Sequence, residues 1–188
     1  MKALNKAELD DLIQRVHPQK DRVITLIAAT CGLRIGEILG LTWNDIDLKS
    51  STLKVNEQWK KLKDGTIGFG DVKTKNSNRV VPLPPTAFSE LIKYKKTAQT
   101  DLNKRLFLDK VTQSTANRLY YKYRRLGYDV SIHDLKHTYV TMLIGNGIDL
   151  KTVAKFLGHT IKITMKTYSH VNSDMINTAI NTINIISN

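Results

Sequence analysis

Cysteine is almost absent: Cys31 is the single one in 188 residues. One thiol can build neither an internal disulfide framework nor a multi-cysteine zinc site, and it fits a reducing cytoplasm, where the chain is expected to act. Long apolar runs are missing as well. No stretch approaches the roughly 18 to 20 residues that span a bilayer, and the opening MKALNKAELDD lacks the apolar core of a signal peptide. A soluble protein with no membrane partner is expected. Aromatics make up only 7%, and acidic groups are outnumbered, 29 Lys and Arg against 17 Asp and Glu, for a net charge of +12. This excess disfavours cationic partners and makes a polyanion the first partner to consider. Charge alone would also fit a ribosomal protein, a membrane-surface binder or a solvated lysine-rich surface, so chemistry must decide.

The chain has the length of one ordinary domain, and its 41% apolar content is enough for a core. Asn5 with Glu8 reads as a helix cap, followed by Leu9, Leu12, Ile13 and Val16 at helical spacing up to His17-Pro18. The nearly continuous apolar stretch Val23 to Ala29 predicts a helix buried on most sides that closes at Cys31-Gly32, with a short helix restarting over Arg34 to Leu39. From Ser51 to Pro82, β-branched and aromatic residues interrupted by Asp64-Gly65 and by Lys75 to Asn78 predict a small antiparallel sheet with exposed hairpins. Helices are expected over Thr86 to Ala98, Ser114 to Leu126, Ser131 to Ile144, Leu150 to Leu157 and Thr164 to Tyr168, with a short strand at Leu106 to Leu108. The fold class expected is mixed α+β, mainly helical, with no internal repeat and no second domain. The tail from Ser169 to Asn188 carries one formal charge, Asp174, and many apolar residues. A helix over Asp174 to Ile183 is expected there, packed on its own core or on a neighbouring subunit.

The densest polar constellation is His133, Lys136 and His137 in HDLKH, then His159 in LGH and Tyr168 in TYSH. Positions 133, 136 and 137 share a helix face, so an imidazole and an ammonium can converge on one ligand. Each residue alone is more often structural. Arg34 lies in the apolar segment ATCGLRIGEILGLTWNDID, where burial without an anionic partner is costly; Glu37 one turn on can hold it, and a structural pair and a ligand site both fit. The hairpin KTKNSNR carries Lys73, Lys75 and Arg79, and the helix ending at Leu126 mixes Leu119, Tyr120 and Tyr123 with Arg118, Lys122, Arg124 and Arg125. By itself the hairpin run is usually solvated surface, the helix is a candidate phosphate-facing element, and together these are the cations a polyanionic partner would meet.

In this order, ATCGLRIGEILGLTWNDID, VKTKNSNRVVPLP, HDLKHTYVTML and VAKFLGHTIKITMKTYSHV resemble the boxes of the tyrosine recombinase or phage integrase family, over nearly the whole chain. The resemblance implies that the chain is a catalytic domain with active-site residues Arg34, Lys73, His133, Lys136, His159 and Tyr168, supported by Glu37 and His137. Lys75 is the alternative for the hairpin lysine. Lys136 stands where the family has arginine. Relatives also carry core-binding and arm-binding domains, which are expected to be absent from this stretch. The implied activity is integration or excision of a mobile element by DNA cleavage and rejoining at attachment sites on double-stranded DNA, by a tetramer of recombinase subunits.

The side chains fit that chemistry. Tyr168 would attack phosphorus to give a 3′-phosphotyrosyl link that conserves bond energy for rejoining, without ATP. Arg34, Lys136 and His159 would bind the non-bridging oxygens, His133 would serve as acid/base partner of the nucleophile and Lys73 would protonate the departing 5′-oxygen. No metal or cofactor is expected. Three rivals stay open: a metal-dependent nuclease using His133, His137 and His159, with Asp134 where a zincin helix has Glu; a type IB topoisomerase-like enzyme; and a DNA-binding module impaired through Lys136.

Overall fold

The computed structural model describes residues 3–72 and 77–168. Lys73, Lys75 and the tail with its expected helix lie outside them. Helix α1 (Lys6–Arg15) starts where Asn5 accepts from the Glu8 amide and the Glu8 carboxylate accepts from the Asn5 amide, the reciprocal cap its sequence calls for. α2 (Gln19–Cys31) is buried nearly all round from Val23 to Cys31, as its unbroken apolar run requires, and ends at Gly32 with φ 66°. Glycine is needed here twice over: the backbone is left-handed, and a Cβ would lie 2.6 Å from the Tyr139 ring. The chain therefore passes close under a later helix immediately before Arg34, and α3 (Ile35–Leu39) follows with Arg34 fixed at its first boundary.

The region from Ser51 to Pro82 forms two sheets rather than the expected one. β1 (Ile46–Asp47), β2 (Thr52–Val55) and β5 (Arg79–Pro82) make an antiparallel sheet in the order β1-β2-β5, with Leu53 opposite Val81 and Val55 opposite Arg79. β3 (Glu57–Lys61) and β4 (Ile67–Asp71) form a separate antiparallel hairpin. That hairpin is docked on α3. A Cβ at Gly40 would lie 2.9 Å from the Gln58 Cα, so the backbones of β3 and the end of α3 approach as closely as glycine permits.

α4 (Pro85–Lys95), α5 (Thr112–Arg125), α6 (Ile132–Gly145) and α7 (Leu150–Leu157) follow, and α8 covers residues 161–168. The expected strand at Leu106 to Leu108 is not formed. Leu106 and Phe107 are buried and tied down by an isolated bridge between Thr42 and Arg105, a bond from the Leu106 amide to Leu41 O (2.9 Å), a bond from the Tyr94 hydroxyl to Leu106 O (3.1 Å) and stacking of Tyr94 on Phe107, none of which makes a ladder. A short apolar run marks burial without specifying a ladder. The main core joins α1 to α5 and the first turn of α6; a smaller cluster of Tyr139, Val140, Ile144, Val153, Leu157 and Tyr168 joins α6, α7 and α8. Among the described residues no helix is long and apolar enough to cross a membrane.

Candidate active site

Three chain segments meet at the end of α2. The first is Arg34, whose backbone amide and Nη1 donate to the Glu37 carboxylate at 2.8 and 2.9 Å. The second is the start of α6, set by a reciprocal cap: Ser131 Oγ accepts from the Asp134 amide, and Asp134 accepts from the Ser131 amide. Asp134 is thereby a capping residue, and the helix it registers points Lys136 and His137 inward from adjacent positions. The third is the turn after α7, which closes at Gly158 (φ 66°) and holds His159 through its amide on Ala154 O.

His159 Nε2 lies 2.5 Å from Arg34 Nη2. Burial first, then the charges of Lys136 and Arg34, lower the imidazole to about 4, so it is neutral at pH 7. A guanidinium can only donate, so Nε2 accepts and the ring proton sits on Nδ1. That buried Nδ1 has no hydrogen-bond partner, and neither does Nζ of Lys136, a residue only 2% exposed. Burial first, then Arg34, with Arg79 adding to it against the pull of Glu37, lowers the Lys136 ammonium to about 7. Two buried donors without acceptors stand beside a partly exposed guanidinium. Such a group is a receptor for an anion with several acceptor oxygens.

Tyr168 is 3% exposed and its hydroxyl lies 2.5 Å from His137 Nδ1. Burial raises the phenol to about 12. Burial first, then His133, lowers His137 to about 4, so the imidazole is neutral and its ring nitrogen can take the phenolic proton. His133 stacks edge-on against His137, with ring centroids 4.7 Å apart. The imidazole in contact with the hydroxyl is thus His137, where the sequence suggested His133 for that partnership. His133 is itself lowered by burial and by Lys136.

The basic set divides. Arg79 is buried, not a surface cation of the hairpin: its guanidinium bonds both Glu37 oxygens, Ser77 O and Phe156 O. A signal for this was present, since Arg79 and Val81 share a strand face and Val81 belongs to the core. Arg118 and Lys122 are also committed elsewhere. Both bond the fully buried Asp21 carboxylate, and Arg118 bonds Asp109 at 2.9 Å as well. Asp21 sits in the first turn of α2 and Arg34 beyond its last, about 20 Å away by helix rise, so this face of α5 is not part of the receptor. Arg124 and Arg125 are exposed, with Arg124 near Tyr120 and Asp129. Among the described residues no three His, Cys, Asp or Glu side chains form a metal-holding group. His137 Nδ1 faces Tyr168, and His159 Nε2 faces Arg34.

The sequence profile of the phage integrase family matches residues 2–175. A tyrosine recombinase XerC-like protein of Caldanaerobacter subterraneus subsp. tengcongensis is 28% identical over 94% of this chain and 52% of its own length. The tyrosine recombinase XerA of Pyrococcus furiosus is 27% identical over 100% of the chain and 63% of its own length. The chain thus spans between half and two thirds of these relatives. In three dimensions it is similar to the Tn1549 transposon integrase in complex with transposon right-end DNA, with a TM-score of 0.79 and 22% identity over 96% of this chain and 65% of that one. At that identity the likeness establishes the fold.

Proposed function

The chain belongs to the phage integrase family, and on that premise we propose that it is the DNA-cleaving and rejoining domain of a site-specific tyrosine recombinase. The observation that carries this reading is the pair of buried, unpartnered donors, Lys136 Nζ and His159 Nδ1, beside Arg34. A phosphodiester supplies the oxygens they lack. Oriented donors of this kind strengthen as charge builds on the non-bridging oxygens of the phosphorane.

In the first step the Tyr168 oxygen attacks phosphorus and its proton passes to His137. The bond from phosphorus to the 5′-oxygen breaks, and Lys73, or Lys75 in its place, protonates that oxygen. A 3′-phosphotyrosyl ester and a free 5′-hydroxyl result. Rejoining runs the same steps in reverse with the 5′-hydroxyl of a second strand, so bond count is conserved and no nucleotide is hydrolysed. The substrate is double-stranded DNA at attachment sites of a mobile element, and the working assembly is a tetramer on DNA in the cytoplasm, linked by the apolar tail beyond Tyr168. Exposed Arg124 and Arg125 supply phosphate contacts that orient the duplex.

Covalent capture tests the reading without knowledge of the target. The protein is incubated with a library of nicked duplexes carrying a randomised segment, and products that survive denaturant are mapped and sequenced. An adduct on Tyr168 with an enriched sequence, unchanged by chelator, is expected. No adduct from the wild-type chain, or one that persists after Tyr168→Phe, refutes it.

A further inference from the structure

Arg79 closes a ring of contacts around the receptor. From the first residue of β5 its Nη1 and Nη2 donate to Glu37 Oε1 and Oε2 at 3.1 and 3.0 Å, Nη1 donates to Ser77 O at 3.0 Å, and Nε donates to Phe156 O at 2.6 Å. Glu37 in turn accepts from Arg34, Arg34 meets His159, and His159 follows Phe156 by three residues, which returns the circuit to Arg79. One side chain therefore spans the start of β5, helix α3 and the C-terminal end of α7. Of the proposed site, Arg34 stands at the start of α3 and His159 follows α7, and Lys73 and Lys75 precede β5 in the sequence. At Phe156 the cation also meets a last-turn carbonyl, where the helix dipole favours positive charge.

We propose that Arg79 is a positioning residue of the cleavage reaction, which sets the separation of Arg34 and His159 by clamping Glu37 and the end of α7, and that it makes no contact with DNA. Its burial leaves it no route to a phosphate, since the side chain is 3% exposed and four of its five N–H donors are committed to protein oxygens. Only a planar fork can serve Glu37 at one end and Phe156 at the other; a lysine ammonium is a single point and can keep the ion pair but not the clamp. A buried ion pair that merely stabilised the fold would be satisfied by that point charge. The second arm of the test below rests on the cleavage reading, and the first does not.

Arg79→Lys keeps a cation beside Glu37 and is the informative variant; Arg79→Met serves as a second one. In the first arm, without DNA, histidine ring resonances and amide hydrogen exchange are compared with the wild type. Arg79→Lys is expected to shift the His159 ring signals and to speed exchange of the His159 amide at least ~10-fold, with His17 and the amides of α1 and α2 unchanged. Unaltered His159 signals and exchange overturn the proposal. In the second arm, the rate of covalent capture at saturating nicked duplex library is expected to fall ~30-fold or more in both variants. DNA affinity should stay within about threefold, and its salt slope should be unchanged. A capture rate within threefold of wild type overturns the proposal, as does a loss of affinity with the salt slope reduced by about one, the signature of a lost phosphate contact. If the wild-type chain forms no adduct, the cleavage reading fails and the first arm still decides the role of Arg79.

Discussion

Replacing Lys136 by methionine should make the protein more stable and less active. Burial, with Arg34 close by, lowers the ammonium from its ordinary 10.5 to about 7, and Nζ has no hydrogen-bond partner. At about 1.36 kcal/mol per decade, that depression corresponds to ~5 kcal/mol of folding free energy spent on holding the charged form. Methionine has a similar length and no charge. Loss of the attraction to Glu37 and relaxation of the site offset part of the gain, so an increase of about 2 to 4 kcal/mol is expected at pH 6 to 7. The pH dependence identifies the cause. Below pH 7 the lysine is protonated in both folded and unfolded chains and the cost is full; between pH 7 and 10.5 the folded form is neutral while the unfolded form still binds a proton, and the cost declines to nothing. The advantage of Lys136→Met should accordingly shrink steadily as pH rises above 7. Urea titrations of both proteins from pH 6 to 9.5 measure it, and a difference that stays constant over this range, or a less stable variant at pH 6, shows that the buried ammonium does not carry this cost. Covalent capture by the same variant should fall by ~10²- to 10³-fold, as for loss of one oxyanion donor.

Lys136→Arg restores a two-pronged donor at fixed charge and should speed covalent capture by ~5- to 150-fold, corresponding to about 1 to 3 kcal/mol of transition-state stabilisation, with little change in DNA affinity; equal or slower capture would show that the site is fitted to lysine. Tyr168→Phe should abolish the adduct, leave DNA affinity within a few-fold, and cost about 1 kcal/mol of stability because His137 loses its partner, all measurable on one preparation. Arg118→Ala should lower stability by ~1 to 3 kcal/mol, since Asp21 is fully buried, and should leave the salt slope of DNA binding unchanged. His137 and His159 are lowered from 6.5 to about 4, mainly by burial, so the unfolded chain takes up protons first and the melting temperature should fall as pH drops from 6.5 to 5.

The helices were largely legible from periodicity and caps. Asn5 and Glu8, Gly32 and Gly158 punctuate the chain in the structure as they do in the sequence, because capping chemistry is local. The split of the β region into two sheets was not, since β2 pairs with β5 across an intervening hairpin whose position depends on α3. The candidate site shows the same division. His133, Lys136 and His137 share a helix face by spacing alone, and Glu37 one turn from Arg34 is its partner as spacing suggested. The destinations of the cations depend on tertiary contacts. Arg79, Arg118 and Lys122 all read as surface charges, yet each is spoken for by a buried carboxylate, Glu37 or Asp21. For Arg79, strand parity with Val81 carried the information; for α5, no local signal names Asp21, which lies about a hundred residues earlier.

Helix α6 joins the two parts of the core: the proposed nucleophile Tyr168 lies in the small one, and the proposed receptor draws on both, since His159 follows α7. Ile132 and Leu135 pack into the main cluster, which supports Arg34 and Glu37, whereas Tyr139, Val140 and Ile144 pack into the small cluster that contains Tyr168. Adjacent residues of that helix serve the two halves: Lys136 lies among the receptor cations and His137 holds the phenol. Tyr168 makes no hydrogen bond to Arg34, Lys136 or His159 among the described contacts; its hydroxyl is held by His137, which in the proposed mechanism takes the phenolic proton as the oxygen meets a phosphorus held by those three. The small cluster is the cheaper of the two to rearrange, because it consists of few side chains from α6, α7 and α8. Any adjustment that brings the proposed nucleophile to a phosphate therefore falls on the small cluster, whose α7 also carries His159 into the proposed receptor.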